Sequence, residues 1–322
     1  MRFAIVGAGA IGAYVGASLA RGGSDVSLVA RGPHLRAMQE RGVTVLSPAG
    51  DFTVALDATD DFDVVSDAEV VFVALKAYSL PQLAPRIGDR VRPGATTVWA
   101  QNGIPWWYFQ SHPGPMGGTV LQSVDPGGVI TRAIAPDSVV GCVVYCSTEV
   151  VEPGVIRHVE GTRYSIGEPD GADSSRCHAI SEAFVAGGLK APVDTRLRDQ
   201  IWLKLVGNVA FNPISALTGA TLGELGRVPE VVDVIRAMFA ECAAVATQLG
   251  VTFPVSLDRR MKAGFAVGDH KTSMLQDHEA GKPLELDCMT GAVIELAERF
   301  GIDVPHIRTV NACAKLLTSE VV

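Results

Sequence analysis

No apolar run in this 322-residue chain reaches the roughly 18 residues that a membrane-spanning helix requires. No charged-then-apolar leader precedes the first strand-like run, so a cytoplasmic location is expected. Blocks of like charge are also missing, and the net charge of −8 offers no basic surface to reward nucleic acid or an anionic membrane. The six cysteines, at 142, 146, 177, 242, 288 and 313, are scattered like thiols of a reducing compartment. No second Cys or His pair completes a zinc set with Cys142 and Cys146, and none of the seven histidines forms an H-x-x-x-H pair. A metal site is therefore not expected. Charged residues make up only 19% and apolar residues 48%, the profile of a compact globular chain long enough for two domains.

What is present begins at once. Arg2-Phe3-Ala4-Ile5-Val6 is a short apolar run that breaks into Gly7-Ala8-Gly9-Ala10-Ile11-Gly12. The pattern predicts a strand, a glycine-rich turn, a helix over Tyr14 to Ala20 and a second strand over Val26 to Ala30. In such a β-α-β unit, Gly7 permits the tight bend and Gly9 keeps a Cβ away from an approaching pyrophosphate. Gly12 lets the helix pack close to the strand. The turn through Ala8, Ala10 and Ile11 offers backbone N–H groups, and the helix N-terminus adds positive dipole. A dinucleotide site over residues 7–12 is the expectation.

The end of the second strand bears on which dinucleotide. An NAD site usually carries a carboxylate there for the ribose hydroxyls. This chain reads Val29-Ala30-Arg31-Gly32-Pro33-His34 instead. A guanidinium fork at Arg31 suits a 2′-phosphate that a carboxylate would repel, which favours NADP(H). The competing reading is an ordinary surface arginine. Lys76, after the apolar run Val70 to Leu75, either adds charge near the same phosphates or is a solvated strand-end lysine.

Further along, a helix is expected over Pro33 to Gly42 and a hairpin over Val43 to Ala58, turning at Pro48-Ala49-Gly50. Strands are expected over Val70 to Leu75, Thr96 to Ala100, Thr119 to Val124 and Val139 to Ser147, with a helix over Leu80 to Val91. Val151 to Gly167 reads as an antiparallel extension. Repeated β-α units ending this way argue for an α/β fold with a Rossmann-type doubly wound sheet. The polar stretch Glu168 to Ser175 is the expected boundary, giving an NADP-binding domain over 1–170 and an all-helical substrate and catalytic domain over 171–322. A cleft between two such domains is where a substrate would meet a nicotinamide. The long apolar helices Val231 to Leu249 and Cys288 to Phe300 bury against each other or against a partner subunit.

One helical stretch carries an unusual polar line: Trp202-Leu203-Lys204-Leu205-Val206-Gly207-Asn208-Val209-Ala210-Phe211-Asn212-Pro213. Lys204, Asn208 and Asn212 recur every fourth residue, so each lies about 40° round from the last. Their neighbours are apolar, and burying an ammonium and two carboxamides without partners costs several kcal/mol. The partners are either side chains of other helices or a ligand; a solvent-facing lysine is the plainer reading. A second constellation is Ser273-Met274-Leu275-Gln276-Asp277 followed by Lys282-Pro283-Leu284-Glu285-Leu286-Asp287. By itself Glu285 reads as a carboxylate at a helix start and the Ser273 hydroxyl as a cap.

Together with Arg31 and Gln101-Asn102-Gly103, these blocks resemble the ketopantoate reductase (2-dehydropantoate 2-reductase) family over nearly the whole chain. The resemblance implies NADPH-dependent reduction of a 2-keto acid to a 2-hydroxy acid, ketopantoate to pantoate in the family's named reaction, and a possible homodimer. It implies that Lys204 is the catalytic lysine and Glu285 its acidic counterpart. It further implies that Asn102, Asn208, Asn212 and Ser273 line the substrate site, that Asn102 also lies by the nicotinamide, and that Arg31 and Lys76 hold the adenosine end. Leu222 and His270 depart from the pattern where asparagines are usual. So does the bulky segment Ile104-Pro105-Trp106-Trp107-Tyr108, which reads as packing or as a reshaped site. Two alternatives stay open: a sibling reductase for another 2-keto acid, and a silent NADP-binding regulator. The intact set Lys204, Asn208, Ser273 and Glu285 disfavours the regulator.

Overall fold

The computed structural model describes residues 1–318, and its contacts divide them into two compact units. The first comprises Met1–Gln101, Trp107–Thr119 and Gly127–Leu197. The second comprises Asn102–Trp106, Val120–Pro126 and the described residues from Arg198 onward. The turn-rich stretch at 168–175 thus lies inside the first unit. The chain beyond it returns to the sheet, where Tyr164 N donates to the Lys190 carbonyl and Ile166 N to that of Pro192.

The first unit is built on nine strands: β1 (Arg2–Val6), β2 (Asp25–Val29), β3 (Val43–Leu46), β4 (Phe52–Val54), β5 (Asp57–Thr59), β6 (Val70–Val73), β7 (Thr96–Trp99), β8 (Val139–Glu152) and β9 (Val155–Gly167). They form one sheet in the order β4-β3-β9-β8-β7-β6-β1-β2-β5. β1 pairs in parallel with β2 on one side and β6 on the other, so the winding reverses at β1. Ligands of doubly wound sheets bind outside the strands' carboxyl ends at such a reversal. All four residues of β6, Val-Val-Phe-Val, are buried, as a parallel strand covered on both faces requires. The helices of this unit are α1 (Ala10–Arg21), α2 (Gly32–Arg41), α3 (Leu80–Gly88), α4 (Val129–Ala133) and α5 (Ser175–Ala186). The antiparallel extension is the β8–β9 pair.

Two expected elements differ. β3 and β4 do form a hairpin, but β3 also pairs in parallel with β9, while β5 leaves to pair with β2 at the opposite edge of the sheet. Residues 119–124 are not a strand. Their amides are committed elsewhere: Gln122 N and Ser123 N donate to the Glu295 carboxylate at 3.0 and 2.9 Å, which places 120–126 in the second unit.

The second unit is helical: α6 (Leu197–Thr218, joining it from Arg198), α7 (Leu222–Leu225), α8 (Pro229–Gln248), α9 (Leu257–Phe265), α10 (Ser273–Glu279), α11 (Ala292–Phe300) and α12 (Pro305–Lys315). α8 and α11 pack on each other, and α12 packs on α8. Among the described residues, no helix is long and apolar enough to cross a membrane.

Candidate active site

At the end of β1, Gly7 takes φ +94°, and Gly7 N and Ala8 N both donate to the Val29 carbonyl at 3.2 and 3.0 Å. The turn is thereby tied to the tip of β2. A Cβ at Gly12 would overlap the Gly7 carbonyl oxygen, so that glycine sets how closely α1 approaches the turn. Gly9 is different. Its φ is an ordinary −80°, and a Cβ there would meet nothing within 4 Å. Neither strain nor packing within the chain demands glycine at position 9, and the space beside it is open. Gly9 is also the N-cap of α1 and supplies no side-chain acceptor, so the first-turn amides around Ala10 and Ile11 keep their donor capacity for a ligand. These residues fit the pyrophosphate of a dinucleotide.

Arg31 follows β2 and opens α2 as its N-cap. It is exposed, and among the described residues its guanidinium takes part in no hydrogen bond or ion pair. The sequence from Ala30 to His34 contains no Asp or Glu. Lys76 follows β6, half-buried, and is the N-cap of a short 3₁₀ turn, Ala77–Ser79. The two cations therefore lie beyond the carboxyl ends of the strands that flank β1.

In the second unit, the polar stripe of α6 meets a partner. Lys204 Nζ donates to Asn102 Oδ1 at 2.6 Å, a short bond strengthened by the charge on the donor. Lys204 and Asn208 are half-buried, whereas Asn212 is only 5% exposed. The Asn212 carboxamide has a weak acceptor in Met289 Sδ, 3.9 Å from its Nδ2. The reading of Lys204 as a solvent-facing lysine does not hold, since its ammonium is committed to Asn102.

Glu285 is 7% exposed and immediately precedes Leu286, the N-cap of the next helical turn. The helix after it begins with one π turn, Asp287–Gly291, before continuing as α11. Such turns are rare and frequent at functional sites. The Cys288 carbonyl in that turn accepts a hydrogen bond from Ile104 N at 2.8 Å, and its thiol donates to the Glu285 carbonyl at 3.5 Å. Ser273 opens α10 and is exposed. It is not the cap: Thr272 is, its Oγ1 accepting from Leu275 N at 3.2 Å. Sequence reasoning missed Gly103 and Cys288. The available signal was the Asn-Gly pair itself, since Gly103 takes φ +82°.

The departures from the family pattern are also placed. Leu222 is buried, and Leu222 N donates to the His270 carbonyl at 3.0 Å, so the two altered positions are tied together. Trp107, Tyr108 and Phe109 are buried in the first unit, and the Trp107 ring fills the space beside Gly141 that a Cβ would occupy. Those aromatics are packing. No cluster of three or more metal-ligating side chains exists among the described residues.

Two family models match the chain. Ketopantoate reductase PanE/ApbA matches residues 3–171, and ketopantoate reductase PanE/ApbA C terminal matches residues 196–318. A 2-dehydropantoate 2-reductase of Mesorhizobium japonicum is 45% identical over 99% of this chain and 98% of its own. A crystal structure from Ralstonia solanacearum MolK2 shares 39% identity at a TM-score of 0.92, covering 98% of this chain and 97% of that one. The PanE/ApbA family ketopantoate reductase of Ralstonia eutropha JMP134 follows at 28% identity and a TM-score of 0.86, covering 99% and 98%. The chain belongs to the ketopantoate reductase family, NAD(P)-dependent oxidoreductases that reduce ketopantoate to pantoate.

Proposed function

We propose that this chain uses NADPH to reduce ketopantoate to pantoate, the supply step for pantothenate and coenzyme A synthesis. One observation carries the reading: a lysine on the polar stripe of α6, its ammonium donating to the Asn102 carboxamide at 2.6 Å. The reduced nicotinamide, when bound, supplies the hydride, which no amino-acid side chain carries.

Lys204 supplies the proton. Its ammonium donates to the ketone oxygen, stabilises the negative charge that develops there and passes one proton to it; the amine left behind recovers a proton from water. Asn102 accepts one N–H of that ammonium and so fixes the direction of the other two. Asn102 itself adds no charge beside the ammonium. Glu285 is assigned the acidic counterpart that favours the protonated lysine. Asn208, Asn212 and Ser273 are assigned to the carboxylate and hydroxyl groups of the substrate. In the first unit, residues 7–12 are assigned to the pyrophosphate, and Arg31 with Lys76 to the 2′-phosphate end.

Turnover of ketopantoate followed by NADPH absorbance tests the reading directly. NADPH oxidation that depends on ketopantoate supports it, and none at any 2-keto acid of a panel refutes it. A second reading, a sibling reductase for a different 2-keto acid, has Leu222 and His270 in its favour. An apolar, buried side chain at 222 removes a hydrogen-bonding group from the position where the family usually has one. A higher kcat/KM for another panel member than for ketopantoate selects it.

A further inference from the structure

We infer that Gly103 and Cys288 are positioning residues: together they clamp the Asn102 segment to the π turn that follows Glu285, so that the acceptor of the Lys204 ammonium and the acidic residue are held as one piece. The inference rests on the roles proposed above for Lys204, Asn102 and Glu285.

Three contacts make the clamp, all within the second unit. Ile104 N donates to the Cys288 carbonyl at 2.8 Å. The Cys288 thiol donates to the Glu285 carbonyl at 3.5 Å. Between them, Gly103 presents its bare Cα to Cys288: a Cβ would overlap the Cys288 carbonyl oxygen and come within 3.0 Å of its Sγ. Position 103 thus demands glycine twice, once for φ +82° and once for this approach. Glycines at 23, 32, 50 and 94 share the positive φ but meet nothing within 4 Å, so theirs is a demand of turn geometry alone.

The π turn makes the approach possible. The Leu286 carbonyl accepts from Gly291 N at 2.9 Å, five residues on, which widens the helix over Asp287–Gly291. A widened turn lets a carbonyl within it accept from outside the helix, and the Cys288 carbonyl accepts from Ile104. Cys288 is 3% exposed, so its thiol acts as a small apolar filler with one weak donor. Asn102 immediately precedes this anchored glycine, and its Oδ1 is the atom that holds Lys204. A displacement of about 1 Å in a positioned group can cost about 100-fold in rate, and that is the scale on which the clamp acts.

The test uses full-length Gly103→Ala, Cys288→Ala and Cys288→Ser, with Lys204→Ala as the reference. Amide hydrogen exchange at Ile104, measured without substrate, reads the clamp independently of turnover. The expectation is that exchange at Ile104 quickens at least about tenfold in Gly103→Ala, and less in Cys288→Ala, while Cys288→Ser stays close to wild type. kcat should fall about 100-fold in Gly103→Ala and about tenfold in Cys288→Ala, with NADPH affinity unchanged and recovery in Cys288→Ser. Unchanged exchange at Ile104 in both Gly103→Ala and Cys288→Ala overturns the clamp. So does a wild-type kcat in both variants, or a fall no greater than the loss of folded protein. Failure of the proposed reaction looks different: wild type turns over no 2-keto acid, or Lys204→Ala matches wild type, while the exchange at Ile104 still reports whether the clamp exists.

Discussion

Lys204 and Asn102 stand 102 residues apart in sequence and are joined by a 2.6 Å hydrogen bond. The bond ties the segment that follows β7 to the middle of α6. In the proposed mechanism, this ammonium answers the charge of the developing alkoxide.

Replacing Lys204 with alanine removes the proposed proton donor and leaves the glycine turn in the first unit untouched. kcat should fall about 10³-fold, and NADPH affinity should stay within about twofold. Steady-state kinetics and a direct binding titration check both halves. Retention of wild-type turnover removes Lys204 from its role.

Arg31 is exposed and free of internal partners among the described residues, so Arg31→Ala should fold as wild type does. A hydrogen bond to a charged group contributes about 1.5–3 kcal/mol, so NADPH should bind about 10- to 100-fold more weakly. NADH affinity should not change. Thermal shift with each nucleotide at equal concentration compares the two, and equal stabilisation of wild type by both would refute the 2′-phosphate argument.

Gly9 and Gly12 should separate binding from folding. The space beside Gly9 is open, so Gly9→Ala should keep the melting temperature within about 2 °C yet weaken dinucleotide binding at least about tenfold. Gly12→Ala drives a methyl into the Gly7 carbonyl, an overpacking that costs about 1–3 kcal/mol and lowers the melting temperature by several degrees. Calorimetry without and with NADPH distinguishes them.

Glu168, in the first unit, governs a pH dependence of stability. Burial raises its pKa, but hydrogen bonds from Arg176 and Ser174 and the Arg176 charge outweigh burial and hold the carboxyl below the ordinary glutamate value. Its folded pKa being depressed, the stabilisation is complete above the unfolded value of about 4.3 and disappears as pH falls through the folded one. Glu168→Gln should be about 1–3 kcal/mol less stable than wild type at pH 7. The gap should narrow in denaturant melts as pH falls below the ordinary glutamate value; a gap independent of pH would rule out this ion pair as its source.

Much of the architecture was legible because it follows from local chemistry. The apolar run at 2–6, the glycine turn and the apolar β6 can form little else than a parallel β-α-β core. The polar line on α6 was legible from spacing alone. Other features depend on distant partners. Residues 119–124 look like a strand, yet the Gln122 and Ser123 amides go to Glu295, more than 170 residues away. The β3–β4 hairpin looks self-contained, but its placement is decided by β9. The π turn leaves no mark in the residue pattern, and so Cys288 passed for an ordinary buried thiol. Helix capping misled by one residue, because Thr272 and Ser273 offer the same hydroxyl.

The pairing of β3 with β9 has a consequence for synthesis. Thr44 sits opposite Val155, so a strand made early has its neighbour made more than a hundred residues later. As the chain leaves the ribosome, β1, β2, β5, β6 and β7 can assemble into a growing layer in their turn. The β3–β4 hairpin has no sheet to join during that interval, and two strands alone are only marginally stable in water. A nascent or truncated polypeptide ending before Val155 exposes a bare backbone edge, which makes this the interval of greatest aggregation risk.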